Sequence, residues 1–186
     1  MNETLKAIAE RYSCRDFADT ALTGKQIKAI VDAALAAPSG MNRQPWHVIM
    51  ITDKALIDEL DTEGMKILAT AEDKSFYERI QSRGGKIFYN APCMVMVVSD
   101  GSTYATIDCG ILSQNIALAA HSIGLGSVIC AMASIPLSGS QGDELKKRMK
   151  FPEGYDFEIA IMVGTAKTVK EPHEPDPAKI TFIAGS

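Results

Sequence analysis

The chain reads as one domain that combines α-helices with β-strands. Segments with apolar residues at helical spacing alternate with short runs rich in Val, Ile and Met. No linker, repeat or low-complexity tract interrupts the first 165 residues. A length of 186 residues, 46% hydrophobic and 23% charged, is ordinary for a single domain. Such a chain buries about 70% of its unfolded surface and can build a core without staples.

Asn2–Arg11 reads as a first helix, with Leu5, Ile8 and Ala9 at helical spacing. Thr23-Gly24-Lys25-Gln26 fits a capping box, in which Thr and Gln satisfy orphan amides at a helix start. Behind it Ile27, Ile30, Val31, Ala34 and Leu35 form an amphipathic stripe that ends before Pro38. Trp46–Thr52, Met94–Ser99 and Ile159–Val163 have the length and side chains of strands. Lys54–Leu60 and roughly Asp73–Tyr89 read as helices, the second weakened by Gly84-Gly85. Thr103–Ile123 is apolar on nearly every side, which predicts a central helix or one packed on a second subunit. Ser127–Cys130 is a short strand candidate and Gln141–Lys150 a short basic helix. A Pro-rich tail then leads to strand-like Ile180–Ile183, an arm suited to packing on another chain.

Nineteen Lys plus Arg against 23 Asp plus Glu give a net charge of −4, which argues against a whole-protein nucleic-acid or anionic-membrane footprint. The longest apolar run, Ala91–Val98, falls far short of the roughly 20 residues that span a bilayer. Acids among the first residues and no apolar h-region lead us to expect no secretory signal. Cys14, Cys93, Cys109 and Cys130 are widely spaced, so reduced thiols in a cytoplasmic protein are expected. There is no Walker loop, no strand followed by G-x-G-x-x-G, no H-E-x-x-H and no G-x-S-x-G. His47, His121 and His173 are scattered, so no metal site is expected.

Two segments carry candidate chemistry. In Arg11-Tyr12-Ser13-Cys14-Arg15, an extended backbone would put Arg11, Ser13 and Arg15 on one face. Two guanidinium forks and a hydroxyl suit a dianionic phosphate; the competing reading is basic residues at a helix C-terminus. Ala37-Pro38-Ser39-Gly40-Met41-Asn42-Arg43-Gln44-Pro45-Trp46 is a rigid polar loop between a helix and a strand. Its amides offer both donors and acceptors to the edge of a heteroaromatic ring; alternatively it is only a helix-to-strand connection.

Together, and in this order, the two segments resemble the FMN-dependent nitroreductase family. Asn90-Ala91-Pro92, D-C-G-I-L-S-Q-N-I-A-L-A-A over residues 108–120 and Gly124-Leu125-Gly126-Ser127 extend the likeness over nearly the whole chain. The chain looks like a short member. The resemblance implies an α+β, nitroreductase-like fold with a central, mainly antiparallel sheet flanked by helices. It also implies an intertwined homodimer with two FMN sites at the subunit interface. In that frame residues 1–186 form one domain, whose arm at about 165–186 packs on the partner.

Carried over by position, Arg11, Ser13 and Arg15, with Tyr12 among them, hold the flavin phosphate and ribityl chain. Pro38, Ser39, Gly40 and Asn42 form a loop presented to the partner's flavin, with Gln44 as an added contact. Ile129-Cys130-Ala131 lies beside the flavin N5, and Lys86 or Arg83 near its O2. For Lys86 and Arg83 the competing reading is a solvated helix face. Members usually carry an arginine in the C-terminal segment as a further phosphate ligand. Here Lys170-Glu171-Pro172-His173 stands there, so Lys170 or His173 substitutes or the contact is missing. Cys14 and Cys130 are expected to be buried and inert.

The implied activity is hydride transfer from NADH or NADPH to FMN and on to a nitroaromatic, quinone or other small-molecule acceptor, in a ping-pong cycle without a catalytic side chain. The alternatives are a flavin-binding storage or regulatory protein without turnover, a variant performing another redox reaction such as reductive dehalogenation, and an interaction protein that uses its apolar helix only to dimerise.

Overall fold

Strands β1 (Trp46–Ile51), β2 (Cys93–Ser99), β3 (Gly126–Cys130) and β4 (Asp156–Gly164) form one sheet in the order β1-β2-β4-β3. Every pairing within it is antiparallel. The structure, a computed structural model, describes residues 1–185. Six helices surround the sheet: α1 (Glu3–Glu10), α2 (Gly24–Leu35), α3 (Lys54–Ala69), α4 (Ser75–Gln81), α5 (Ala105–Ser122) and α6 (Gly142–Arg148).

The layering follows from β2. Its side chains alternate, and all seven residues are buried. Cys93, Val95 and Val97 join Ile30, Leu112 and Ile116 in the core under α2 and α5. Met94, Met96 and Val98 join Ile57, Leu60 and Ile87 in the opposite core under α3. A strand covered on both faces therefore reads as an uninterrupted apolar run even though its neighbours are antiparallel. Each such side chain contributes about 1.5–3 kcal/mol by burial.

The Thr23 capping box forms: Gln26 N donates to the Thr23 hydroxyl at 3.3 Å, and Thr23 N donates to Gln26 Oε1 at 2.8 Å. Asn115 Nδ2 donates to Ala33 O at 3.1 Å and pins α2 to α5.

Several boundaries differ from the sequence expectation. Helix α3 runs on to Ala69, because Leu60, Asp61 and Gly64 continue its buried face. The helix expected over 73–89 stops at Gln81, since Gly84 and Gly85 take φ of +99° and +70° and reverse the chain. Helix α5 is not covered all round within one chain: Ile107 remains 64% exposed and Ile111 is exposed beside it. Ile180–Ile183 is not a strand; it finds no sheet edge to pair with, and its apolar side chains stay exposed. No helix among the described residues is long and apolar enough to cross a membrane.

Candidate functional site: two adjoining basic pockets and a strained loop

Backbone pairing assembles the first pocket. The segment after α1 is extended, and Ser13 bridges Ser127 at the start of β3, with Cys14 N donating to Ser127 O at 2.9 Å. Gly126 makes this approach possible: a Cβ there would sit 2.9 Å from the Cys14 Cβ and Sγ. On its other side the segment pairs with the chain leaving β4, through Ala18 N to Thr165 O (2.8 Å) and Lys167 N to Asp16 O (3.0 Å). Tyr12 extends the seam by donating its hydroxyl to Thr168 O at 2.9 Å. The stitching brings Arg11, Tyr12, Ser13 and Arg15 together with Lys170, Glu171 and His173 around a cavity of about 230 Å³. None of Arg11, Arg15 or Lys170 forms an ion pair among the described residues. Cations gathered at one cavity, with Glu171 beside them but ion-paired to none of them, suit an anionic ligand.

Arg15 also lines a second cavity of about 270 Å³, with Arg79, Arg83 and Lys86 on its rim and Phe76, Ile80, Ile87, Tyr89 and Met132 forming its apolar walls. Lys86 belongs to no helix. It sits in the turn after Gly84-Gly85 and pairs with Asp58 at 2.9 Å. Asp61 braces that turn from α3. Its Oδ1 accepts from Ile87 N (2.6 Å) and Phe88 N (3.3 Å), while Oδ2 is buried without a hydrogen-bond partner, 3.9 Å from Lys86 Nζ. Burial raises the Asp61 carboxyl above its ordinary range, against the pull of the two amides and Lys86. Burial also tends to raise the neighbouring Asp58, yet hydrogen bonds from Lys54 and Lys86 hold it low. Tyr89 is raised by burial, with Arg15 and Arg83 pulling the other way.

Of Ile129-Cys130-Ala131, Cys130 is buried, and burial pushes its thiol up to about 11. Burial likewise raises Cys14. Both are inert at neutral pH. Ile129, 40% exposed, lines a separate apolar groove with Cys109 and Ser113 of α5. Met132, just beyond the predicted triplet, lines the second pocket instead.

The Pro38–Gln44 loop lies elsewhere. Gly40 N donates to both oxygens of the buried Asp108 carboxylate at 3.2 Å, Gln44 N to Ser39 Oγ at 2.9 Å and Gln44 Nε2 to Asn42 Oδ1 at 3.0 Å. Met41, Asn42 and Gln44 all hold left-handed φ (55°, 56° and 47°), and Met41 is 92% exposed. Tyr89 and Asn90, beside the second pocket, are left-handed too. Non-glycine residues held in that region concentrate at ligand clamps, where surrounding structure over-determines the backbone. The loop's residues line neither basic pocket of their own chain.

Asp61, Phe76, Arg79, Tyr89, Asp108 and Met132 were not singled out as site residues by sequence reasoning. The Gly84-Gly85 pair and Asn90-Ala91-Pro92 bracket the segment that holds Lys86 and Tyr89 and were the available signal. Nothing in its spacing separates Asp61 from Asp58 or Glu59. Among the described residues no three His, Cys, Asp or Glu side chains gather as a metal site.

Residues 8–165 match the Nitroreductase family. A crystal structure of a nitroreductase with bound FMN from Desulfitobacterium hafniense DCB-2 superposes with a TM-score of 0.95 at 50% identity, covering 99% of this chain and 100% of that one. A putative NADH dehydrogenase/NAD(P)H nitroreductase of Archaeoglobus fulgidus is 28% identical over 95% of this chain and 92% of its own length. Its counterpart in Methanothermobacter thermautotrophicus is 30% identical over 68% of this chain, which spans 59% of that relative's length.

Proposed function

The chain belongs to the nitroreductase family, and from that premise we propose that it is an NAD(P)H-dependent FMN oxidoreductase. The observation that carries the proposal is the cavity in which Arg11, Ser13, Arg15, Lys170 and His173 converge, since its unpaired cations fit a phosphate dianion. Arg15 joins that cavity to one with apolar and aromatic walls, the sequence of environments that a phosphate followed by a flat heteroaromatic ring requires. Arg11, Ser13 and Arg15 would hold the phosphate and ribityl chain, Lys170 and His173 would stand in for the family's C-terminal arginine, and Lys86 would balance negative charge near the ring.

FMN held by these residues would supply two-electron redox chemistry between NADH or NADPH and an acceptor. For a nitro acceptor the balance is ArNO2 + NAD(P)H + H+ → ArNO + NAD(P)+ + H2O, with the proton drawn from solvent. The chain's own side chains bind, orient and tune charge. None has to act as a nucleophile, in keeping with four buried cysteines.

The working unit would be a homodimer. Exposed Tyr104, Ile107, Ile111 and Ile129 leave an apolar face on α5 and β3, and Val169, Ile180, Phe182 and Ile183 leave another on the tail. Covering the first with a second copy would bring its Pro38–Gln44 loop towards the partner's pocket, while the 165–186 arm wraps across. A cytoplasmic setting suits the free thiols.

Purified protein is expected to be yellow, to run as a dimer by light scattering, and to bleach anaerobically with NADH or NADPH. Colourless protein that binds no added FMN overturns the reading. Yellow protein that neither nucleotide bleaches points to a flavin-binding module without turnover.

A further inference from the structure

Arg15, Arg79, Arg83 and Lys86 all stand on the wall of the second cavity, and the three arginines form no ion pair among the described residues. Lys86 is the exception. Its Nζ lies 2.9 Å from Asp58 Oδ1, and Lys54 Nζ reaches the same oxygen at 2.6 Å. Lys54 opens α3 and Asp58 follows one turn later on the same face, whereas Lys86 arrives from the turn after Gly84-Gly85. Hydrogen bonds from both lysines hold the Asp58 carboxyl low, so it is ionised at neutral pH. The other carboxylate near Lys86, Asp61, keeps Oδ2 3.9 Å away, outside hydrogen-bond reach. One carboxylate oxygen therefore serves two lysines, and the cluster keeps a positive charge in excess. Lys54 itself lines neither basic cavity.

We propose, resting on the flavin reading above, that Lys54 tunes the reduction of bound FMN from outside the cofactor site, by competing with Lys86 for Asp58. A hydride taken up by the neutral ring, two electrons with one proton, leaves the ring with one negative charge. Lys86 favours that charge to the extent that Asp58 does not cancel its own. With Lys54 in place the carboxylate is divided between two cations, and Lys86 keeps much of its field for the cavity. Without Lys54 the carboxylate turns wholly to Lys86, and reduced FMN loses support. Lys54 is thus a positioning residue for the shared carboxylate.

The test reads the affinity for reduced relative to oxidised FMN, from anaerobic and aerobic titrations of the protein, with the midpoint potential of bound FMN as the linked measure. A tenfold change in that ratio is about 30 mV for two electrons. Lys86→Gln should lower the ratio about tenfold, as for a hydrogen bond to a charged group at a partly exposed site. Lys54→Gln should lower it about twofold to fivefold, the range of partly exposed ion pairs. Combined with Lys86→Gln or with Asp58→Asn, Lys54→Gln should add nothing, because it acts through both residues. Lys66→Gln removes a lysine of the same helix that is paired with Glu63 instead, and should leave the ratio unchanged. A Lys54→Gln variant that leaves the ratio unchanged while Lys86→Gln moves it overturns the proposal and keeps the flavin reading. So does a Lys54→Gln effect of equal size in all three backgrounds, or one matched by Lys66→Gln, since net charge alone would then account for it. A ratio that Lys86→Gln does not move overturns the place of Lys86 near the ring along with the proposal. Natural-sequence protein that binds no FMN overturns the flavin reading itself.

Discussion

The cavity around Arg11 and the loop around Met41 both carry residues matched to one cofactor, yet they are built on opposite principles. The Arg11–Arg15 segment is sewn between the start of β3 and the chain leaving β4, so a single chain completes the pocket it forms. The Pro38–Gln44 loop is braced by Asp108 and by its own side chains, holds three left-handed residues and presents them outward. Strain of that kind costs on the order of 1–3 kcal/mol per residue and persists only where the surrounding structure over-determines the backbone. The difference teaches that one segment can be locked by backbone pairing with strands far away in sequence, while another is braced locally and left facing outward.

The largest effect expected on ligand retention from breaking this contrast comes from the grip. Arg11→Ala and Arg15→Ala should each weaken FMN retention about tenfold to a hundredfold, the worth of one hydrogen bond to a charged group. Fluorescence titration of FMN reads it directly, and unchanged constants in both variants would mean that the phosphate sits elsewhere.

Next comes the turn that carries Lys86. Asp61→Ala leaves the Ile87 and Phe88 amides buried and unpaired and should cost about 1–3 kcal/mol for each donor left unsatisfied. Asp61→Asn keeps an acceptor for both and should cost much less. The two can also be separated by pH. Because burial raises the Asp61 carboxyl in the folded state, its favourable contribution is complete below the ordinary value of 3.8 and is lost as pH rises through the folded value. Urea midpoints should therefore fall over that window in the natural sequence relative to Asp61→Asn. Parallel curves would show that Asp61 does not titrate there.

The smallest effect belongs to the loop. In Met41→Gly the glycine occupies φ of 55° without strain but gains freedom when unfolded, so a net stabilisation below about 1 kcal/mol is expected. A loss larger than that in thermal melts would show that the Met41 side chain is buried in the working assembly, and the loop would then be packed rather than merely held.

How much of this was legible depends on the range of the interactions. The Thr23 capping box, the four strands and α5 follow from local periodicity and capping, which a few consecutive residues encode. The length of α3 was not legible, because what covers its second half is the segment 131–139, distant in sequence. The strand expected at Ile180–Ile183 did not form for the opposite reason: a strand pattern needs a partner edge, and the tail pairs with none within its own chain.

The sequence by itself determined the elements, the two marked segments and the identity of the cations, since spacing and residue type are local properties. Only the tertiary structure decided that Lys170 and His173 share a cavity with Arg11, that Arg15 serves two pockets at once and that Asp61 sits beneath Lys86. Those relations join residues 25 to 162 positions apart, and the ones around Arg11 and Arg15 exist because the order β1-β2-β4-β3 leaves β3 and the end of β4 free to receive the segment after α1.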